Sequence, residues 1–172
     1  MFERVRNHVL AGTGVLLLAS NAFAGPSPQT TTFLVSATVI KACVVTATAL
    51  AFGNYDQIVA TTTTGTSTVS LQCTNGASAT IALNGGVNGT LAQRKMKDSV
   101  STNTLNYQLY TNSGNTTVWG DGTGVTSTQT YNSVDSATNQ PFTVYGTIPA
   151  QQNVAVSASN TYQDTITVTV TF

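Results

Sequence analysis

Thiols, carboxylates and hydroxyls are the groups with which this chain could do chemistry. The thiols are Cys43 and Cys73, thirty positions apart. Zinc is held by about four ligands drawn from Cys, His and carboxylate, so two thiols with no histidine nearby make a poor metal site and a disulfide is the better use. The one histidine, His8, and the one glutamate, Glu3, both lie before residue 25. Serine and threonine abound, but a hydroxyl or thiol attacks only when a base takes its proton, and a triad cannot be assembled from what remains. Asp121 and Asp135 could in principle serve as the paired carboxylates of glycoside hydrolysis, yet both sit in turn-rich stretches where Asp suits the backbone. Gly120-Asp121-Gly122-Thr123-Gly124 lacks the Gly-Lys-Ser/Thr of a phosphate loop and the many carboxylates of a calcium loop, and reads as a tight turn. Trp119, Tyr107, Tyr110 and Tyr145 could stack on a sugar, although aromatics alternating along strands mostly pack in a core. No catalytic residue, metal or cofactor is expected, and the chain does not read as an enzyme.

These residues need a scaffold, and its compartment is written at the start. Arg4 and Arg6 precede an apolar run from Val9 to Ala19 and then Ala22-Phe23-Ala24, so residues 1–24 read as a signal peptide cleaved before Gly25. The run is about half the roughly 20 residues that cross a bilayer. Export exposes Cys43 and Cys73 to an oxidising compartment, where a disulfide is expected and would contribute about 3 to 4 kcal/mol on the loop-closure account. Past residue 24 the charges are Lys41, Arg94, Lys95 and Lys97 against Asp56, Asp98, Asp121, Asp135 and Asp164. Four scattered cations exclude a nucleic-acid binder, which neutralises many phosphates.

Polarity is carried instead by Thr, Ser, Asn and Gln, with Thr about a fifth of the chain. Threonine suits a pleated surface, and here it alternates with Val, Ile and Leu rather than with proline, which argues against a mucin-like stalk. Phe33, Val35, Ala37 and Val39 occupy every second position after a leader, giving an expected strand over 33–40. Further strands are expected from Val44 to Phe52, around Val69, Leu71 and Cys73, around Ala79, Ile81 and Leu83, at Leu105–Leu109, from Phe142 to Pro149, and from Tyr162 to Phe172. Asn75-Gly76 predicts a hairpin between two of them. Residues 84–103, with Arg94-Lys95-Met96-Lys97, read as a long solvated connection. The pattern is all-β: a sandwich or barrel of the immunoglobulin-like class. Strands at each end of the exported chain are candidates for pairing at a sheet edge, where another chain can add. Equally, residues 33–40 could be the first strand of the same sandwich.

The run from Cys43 to Gly53 with Leu50-Ala51-Phe52-Gly53-Asn54-Tyr55, then Val69-Ser70-Leu71-Gln72-Cys73, Asn106 to Thr111, Val118-Trp119-Gly120-Asp121-Gly122, Val144 to Ala150 and Tyr162 to Phe172 together resemble the spore coat protein U family, which includes the subunits of archaic chaperone-usher pili. The resemblance implies an immunoglobulin-like sandwich lacking its final strand and completed by donor-strand exchange. It divides the chain into a signal peptide (1–24), a leader and donor strand (25–40) and a pilin domain (41–172). It implies a donor face of Phe33, Val35, Ala37 and Val39, an acceptor side with Ile166, Val168, Val170 and Phe172, and a disulfide between Cys43 and Cys73. The implied partners are copies of the chain in a linear homopolymer, a periplasmic chaperone, an outer-membrane usher and a tip adhesin. The product would be a pilus on the cell surface, its part in adhesion or biofilm indirect. A spore or cell coat built by the same exchange is the alternative, and a carbohydrate-binding module the third reading.

Overall fold

The computed structural model describes residues 25–156 and 161–172, so the expected signal peptide lies outside the described residues. The chain divides into two units, one ending at Ala37 and the other running from Thr38 to Phe172. In the first, residues 25–37 form no strand and are exposed. The alternation at 33–40 therefore does not make a strand here: a strand needs a partner for its backbone groups, and among the described residues this stretch has no strand partner.

The second unit is all-β. Its strands are β1 (Cys43–Ala47), β2 (Thr63–Cys73), β3 (Ser78–Leu83), β4 (Arg94–Asp98), β5 (Thr104–Tyr110), β6 (Gln129–Asn132), β7 (Gln140–Ile148), β8 (Tyr162–Gln163) and β9 (Val168–Thr171). One sheet has the order β1-β2-β7-β5-β4-β8 and the other β6-β3-β9. Every pairing between these strands is antiparallel. The period-2 patterning does what it should: Val69, Leu71 and Cys73 of β2, Ala79, Ile81 and Leu83 of β3, and Leu105, Tyr107 and Leu109 of β5 point into one shared core. Trp119 is fully buried among them and donates its indole N–H to the Ile81 carbonyl at 3.0 Å.

Four further expectations are corrected. The single strand expected from Tyr162 to Phe172 is two short ones, β8 in the large sheet and β9 in the small one. Asn75-Gly76 does turn the chain, with Ala77 N–H bonded to the Thr74 carbonyl at 3.0 Å and Gly76 at φ 79°, but β2 and β3 enter different sheets and do not pair as a hairpin. The expected strand from Val44 to Phe52 ends at Ala47, and residues 48–62 run on irregularly. Residues 84–103 are not a solvated connection, because Arg94–Asp98 is a strand with Arg94 and Asp98 buried.

The irregular stretch after β1 is seated by missing side chains. Gly65 of β2 lies directly opposite Gly146 of β7. A Cβ on Gly146 would come within 2.8 Å of both Leu50 and Phe52, and one on Gly65 within 3.1 Å of Leu50. The two glycines leave a flat bay in the large sheet into which Leu50 and Phe52 settle.

Candidate functional site

Each sheet has an edge strand that borders one groove. β1 is the last strand of the large sheet there and β9 the last of the small one. Between Ala47–Phe52 on one side and Gln163–Val168 on the other runs a groove of about 510 Å³, floored by core residues including Val69, Leu83, Leu109 and Val144. A second cavity of about 640 Å³ continues it, sharing Leu50, Phe52, Met96 and Tyr162 and reaching Ile148 and Val154.

Register shows that the groove is the place of an absent strand. Val45 lies directly opposite Leu71 and Ala47 opposite Val69, so their side chains point to the core face. Leu71 and Val69 are buried, whereas Val45 is 40% exposed, because no described residue covers it fully. The backbone tells the same story. Ala42 and Thr48 bond β2 through the Ala42 carbonyl and the Thr48 N–H. By alternation the N–H and C=O groups of Val45 and Ala47 face outward. On the other rim, Asn84 N–H reaches the Thr167 carbonyl at 3.1 Å and Ala82 faces Thr169, so Val168 and Val170 turn their backbone groups to the free edge. The groove thus has two rims of backbone donors and acceptors with an apolar floor between.

Among the residues proposed for the acceptor side, Ile166 and Val168 line the groove, and Val170 packs against the core. Phe172 lies beyond it, 49% exposed. Phe33, Val35, Ala37 and Val39 are exposed, each of the three larger ones more than three-quarters so. Cys43 and Cys73 are directly opposite each other and joined by a disulfide, Cα to Cα 4.1 Å, which rivets β1 to β2 at the end nearest the leader. Leu50, Phe52, Leu83 and Leu109 escaped the sequence reading as groove residues. Their signal was there as apolar alternation, but which cavity they face depends on the pairing of strands far apart in sequence.

A polar network holds the C-terminal rim. Arg94, fully buried, donates Nε and Nη2 to the Asn84 carbonyl at 3.0 and 2.7 Å, Nη2 also to the Trp119 carbonyl at 2.7 Å, and Nη1 to Gln108 Oε1 at 2.5 Å. Burial lowers its pKa, opposed by the nearby Tyr107 and Asp164. Asn84 Oδ1 in turn accepts the Thr167 N–H at 2.9 Å. Asp164 accepts the Val87 N–H at 2.9 Å, Asn88 Nδ2 at 3.1 Å and the Tyr107 hydroxyl at 2.6 Å. Burial foremost, and then the bond to Asp164, raise the Tyr107 pKa well above its ordinary value. Residues 164–167, which cross from the large sheet to the small one, are therefore fastened at both ends.

As for a sugar platform, Trp119 and Tyr107 are core. Tyr110 and Tyr145 face each other across β5 and β7, half-buried. Asp121 and Asp135 cap local turns, Asp121 bonding the Thr123 N–H at 2.9 Å and Asp135 the Ala137 N–H at 2.8 Å. Those bonds, led by the hydroxyls of Thr123 and Thr138, hold both carboxyls below the usual range.

The fold and groove together define an immunoglobulin-like β-sandwich that is one strand short. The chain belongs to the Spore Coat Protein U domain family, which matches residues 29–169. It is 34% identical over 136 residues to Protein U of Myxococcus xanthus, a match that covers 72% of this chain and 71% of that protein. Among solved structures it is similar, at TM-score 0.55 and 28% identity, to a chain in the crystal structure of the CsuC-CsuE chaperone-tip adhesion subunit pre-assembly complex from the archaic chaperone-usher Csu pili of Acinetobacter baumannii. That match covers 78% of this chain and 40% of the other, so this chain spans well under half the length of the protein it matches there. The family expected from the sequence is the one found.

Proposed function

We propose that this chain is a structural subunit of a surface pilus that polymerises head to tail, its segment 33–40 completing the sandwich of the next copy. The observation that carries the reading is the groove: an apolar floor between Ala47 on one side and Val168 on the other, with Val45 and Val170 next along the same free edges of β1 and β9. A strand laid there would gain main-chain hydrogen bonds and bury Phe33, Val35, Ala37 and Val39. Each of the larger side chains contributes up to about 1.5 to 3 kcal/mol when buried, Ala37 less. The contact is not self-complementary, so it propagates instead of closing. Before assembly a periplasmic chaperone would cover the groove and an outer-membrane usher would exchange it. A signal peptide at 1–24 would supply the route out of the cell. The chaperone-bound state of the similar Csu structure supports the chaperone step. The subunit works by packing, and no step calls for a catalytic group.

The name of the family and the likeness to Protein U favour a second reading, a coat assembled by the same strand exchange. Deleting residues 25–40, with the chaperone co-expressed, tests the shared core of both. The expected result is loss of the denaturant-sensitive ladder of polymers while a disulfide-closed, chaperone-bound subunit persists. A ladder that survives the deletion, or an intact chain that is a well-folded monomer and never polymerises, would sink it.

A further inference from the structure

We infer that the groove is closed to the chain's own segment 33–40 and is left for a second copy. This rests on reading the groove as an acceptor. The argument is one of direction and reach. β1 is antiparallel to β2, the chain reverses at Thr74–Ala77, and β9 is antiparallel to β3. β9 therefore runs opposite to β1, and any strand between them is antiparallel to one rim and parallel to the other. A strand from another molecule can take either orientation.

The chain's own segment cannot. Lying parallel to β1, it would finish at the far end of β1, and the chain would have to return the length of that strand to reach Cys43. Parallel neighbours in one sheet need a connection of about a dozen residues or more, and only Lys41 and Ala42 stand between Ile40 and β1.

Lying antiparallel to β1, it would need a tight reversal just before Cys43. The apolar face must point inward with Cys43, Val45 and Ala47, which sets Val39 opposite Cys43 and leaves Ile40-Lys41-Ala42 as the loop. A three-residue hairpin loop wants a left-handed residue in its last position, usually glycine. That position is Ala42. It is held to Thr74, donating its N–H to Oγ1 at 3.3 Å and accepting the Thr74 N–H at 2.9 Å, and it is not among the residues with positive φ. The disulfide at the next residue holds the start of β1 in place. A two-residue loop of Lys41-Ala42 would instead turn Ile40, Thr38 and Ser36 inward, the wrong face. Sliding to a longer loop gains little, because Thr38-Val39-Ile40-Lys41-Ala42 contains no Gly, Asn, Asp or Pro and three of the five are β-branched.

The test is to insert Gly-Asn-Gly-Gly between Lys41 and Ala42, which supplies both length and turn residues, and Val-Thr-Val-Thr at the same place as a control of equal length. The Gly-Asn-Gly-Gly chain is expected to purify without chaperone as a folded monomer, with its polymer ladder reduced at least tenfold, while the control keeps the ladder of the unmodified chain. If the Gly-Asn-Gly-Gly chain polymerises like the unmodified one, or if the unmodified chain is itself a closed monomer, the inference is wrong. A synthetic peptide of residues 29–41, offered to the chaperone-bound subunit lacking residues 25–40, separates the two levels. Uptake of the peptide alongside failure of the insertion overturns the inference and leaves the acceptor groove standing, whereas no uptake overturns both.

Discussion

Around Arg94 the sandwich buries a cation and answers its guanidinium nitrogens with the carbonyls of Asn84 and Trp119 and the side chain of Gln108. Between β1 and β9 it does the reverse, leaving Val45 partly bare and two rows of backbone groups without a partner strand. Among the described residues no buried side-chain nitrogen or oxygen lacks a hydrogen-bond partner. An open groove in an otherwise satisfied fold is thus a local vacancy and not general looseness. The difference teaches that rigidity and incompleteness can adjoin. The network from Arg94 through Asn84 to Thr167, and from Tyr107 to Asp164, holds the C-terminal rim in shape while the groove beside it is empty.

The comparison breaks most severely at Arg94. In Arg94→Met the Asn84 and Trp119 carbonyls lose their donor inside the core, and the expected loss is about 3 to 5 kcal/mol, read as a failure to recover chaperone-bound subunit in a protease-resistant form. A subunit recovered in normal yield would mean that the rim does not depend on the buried cation.

On the opposite rim the Cys43→Ser/Cys73→Ser pair of changes should cost about 3 kcal/mol, measured as a lower denaturant midpoint of the subunit complemented with the peptide of residues 29–41. Hydrogen exchange at β1 should rise while β9 stays protected, which separates the two rims. Equal loosening of both would merge them.

The smallest effect is expected at Tyr107. Its pKa is raised in the folded chain above the ordinary 10.0, so folding holds the phenolic proton more tightly than the unfolded chain does. The stability this contributes is whole below about pH 10 and drains away as the pH climbs toward the folded value. Tyr107→Phe should lower stability at neutral pH by about 1.5 kcal/mol, since the lost bond ends on a carboxylate. It should also flatten the alkaline loss, both visible in denaturation curves between pH 7 and pH 11. An unchanged alkaline slope would remove Tyr107 from the network.

Much of the fold was legible because alternation needs no tertiary knowledge. Val69-Leu71-Cys73, Ala79-Ile81-Leu83 and Leu105-Tyr107-Leu109 announced their inward faces, and those faces are the core. β4 was hidden because four residues with three positive charges look like a solvated loop. Only the carbonyls brought in from Asn84 and Trp119 make a buried arginine tolerable there. β6 was hidden by its polarity, with Tyr131 its one buried apolar side chain, set edge-to-face on Phe142. At 33–40 the apolar residues alternate along the sequence, but a pattern cannot say whose sheet such a segment completes. The groove itself could be approached only through resemblance, since its width is set by which strands are last in each sheet and not by any run of residues.

The bridge between Cys43 and Cys73 also decides how a fibre of such subunits would carry load. Tension drawn along the leader arrives at the start of β1, the strand most easily unzipped because it has a neighbour on one side only. With Cys43 bonded to its opposite number on β2, the pull would bypass β1 and enter a strand that is paired on both sides, with β7 along nine residues. The weakest strand at the point of attachment would then be spared, and the force would be met by the middle of the larger sheet.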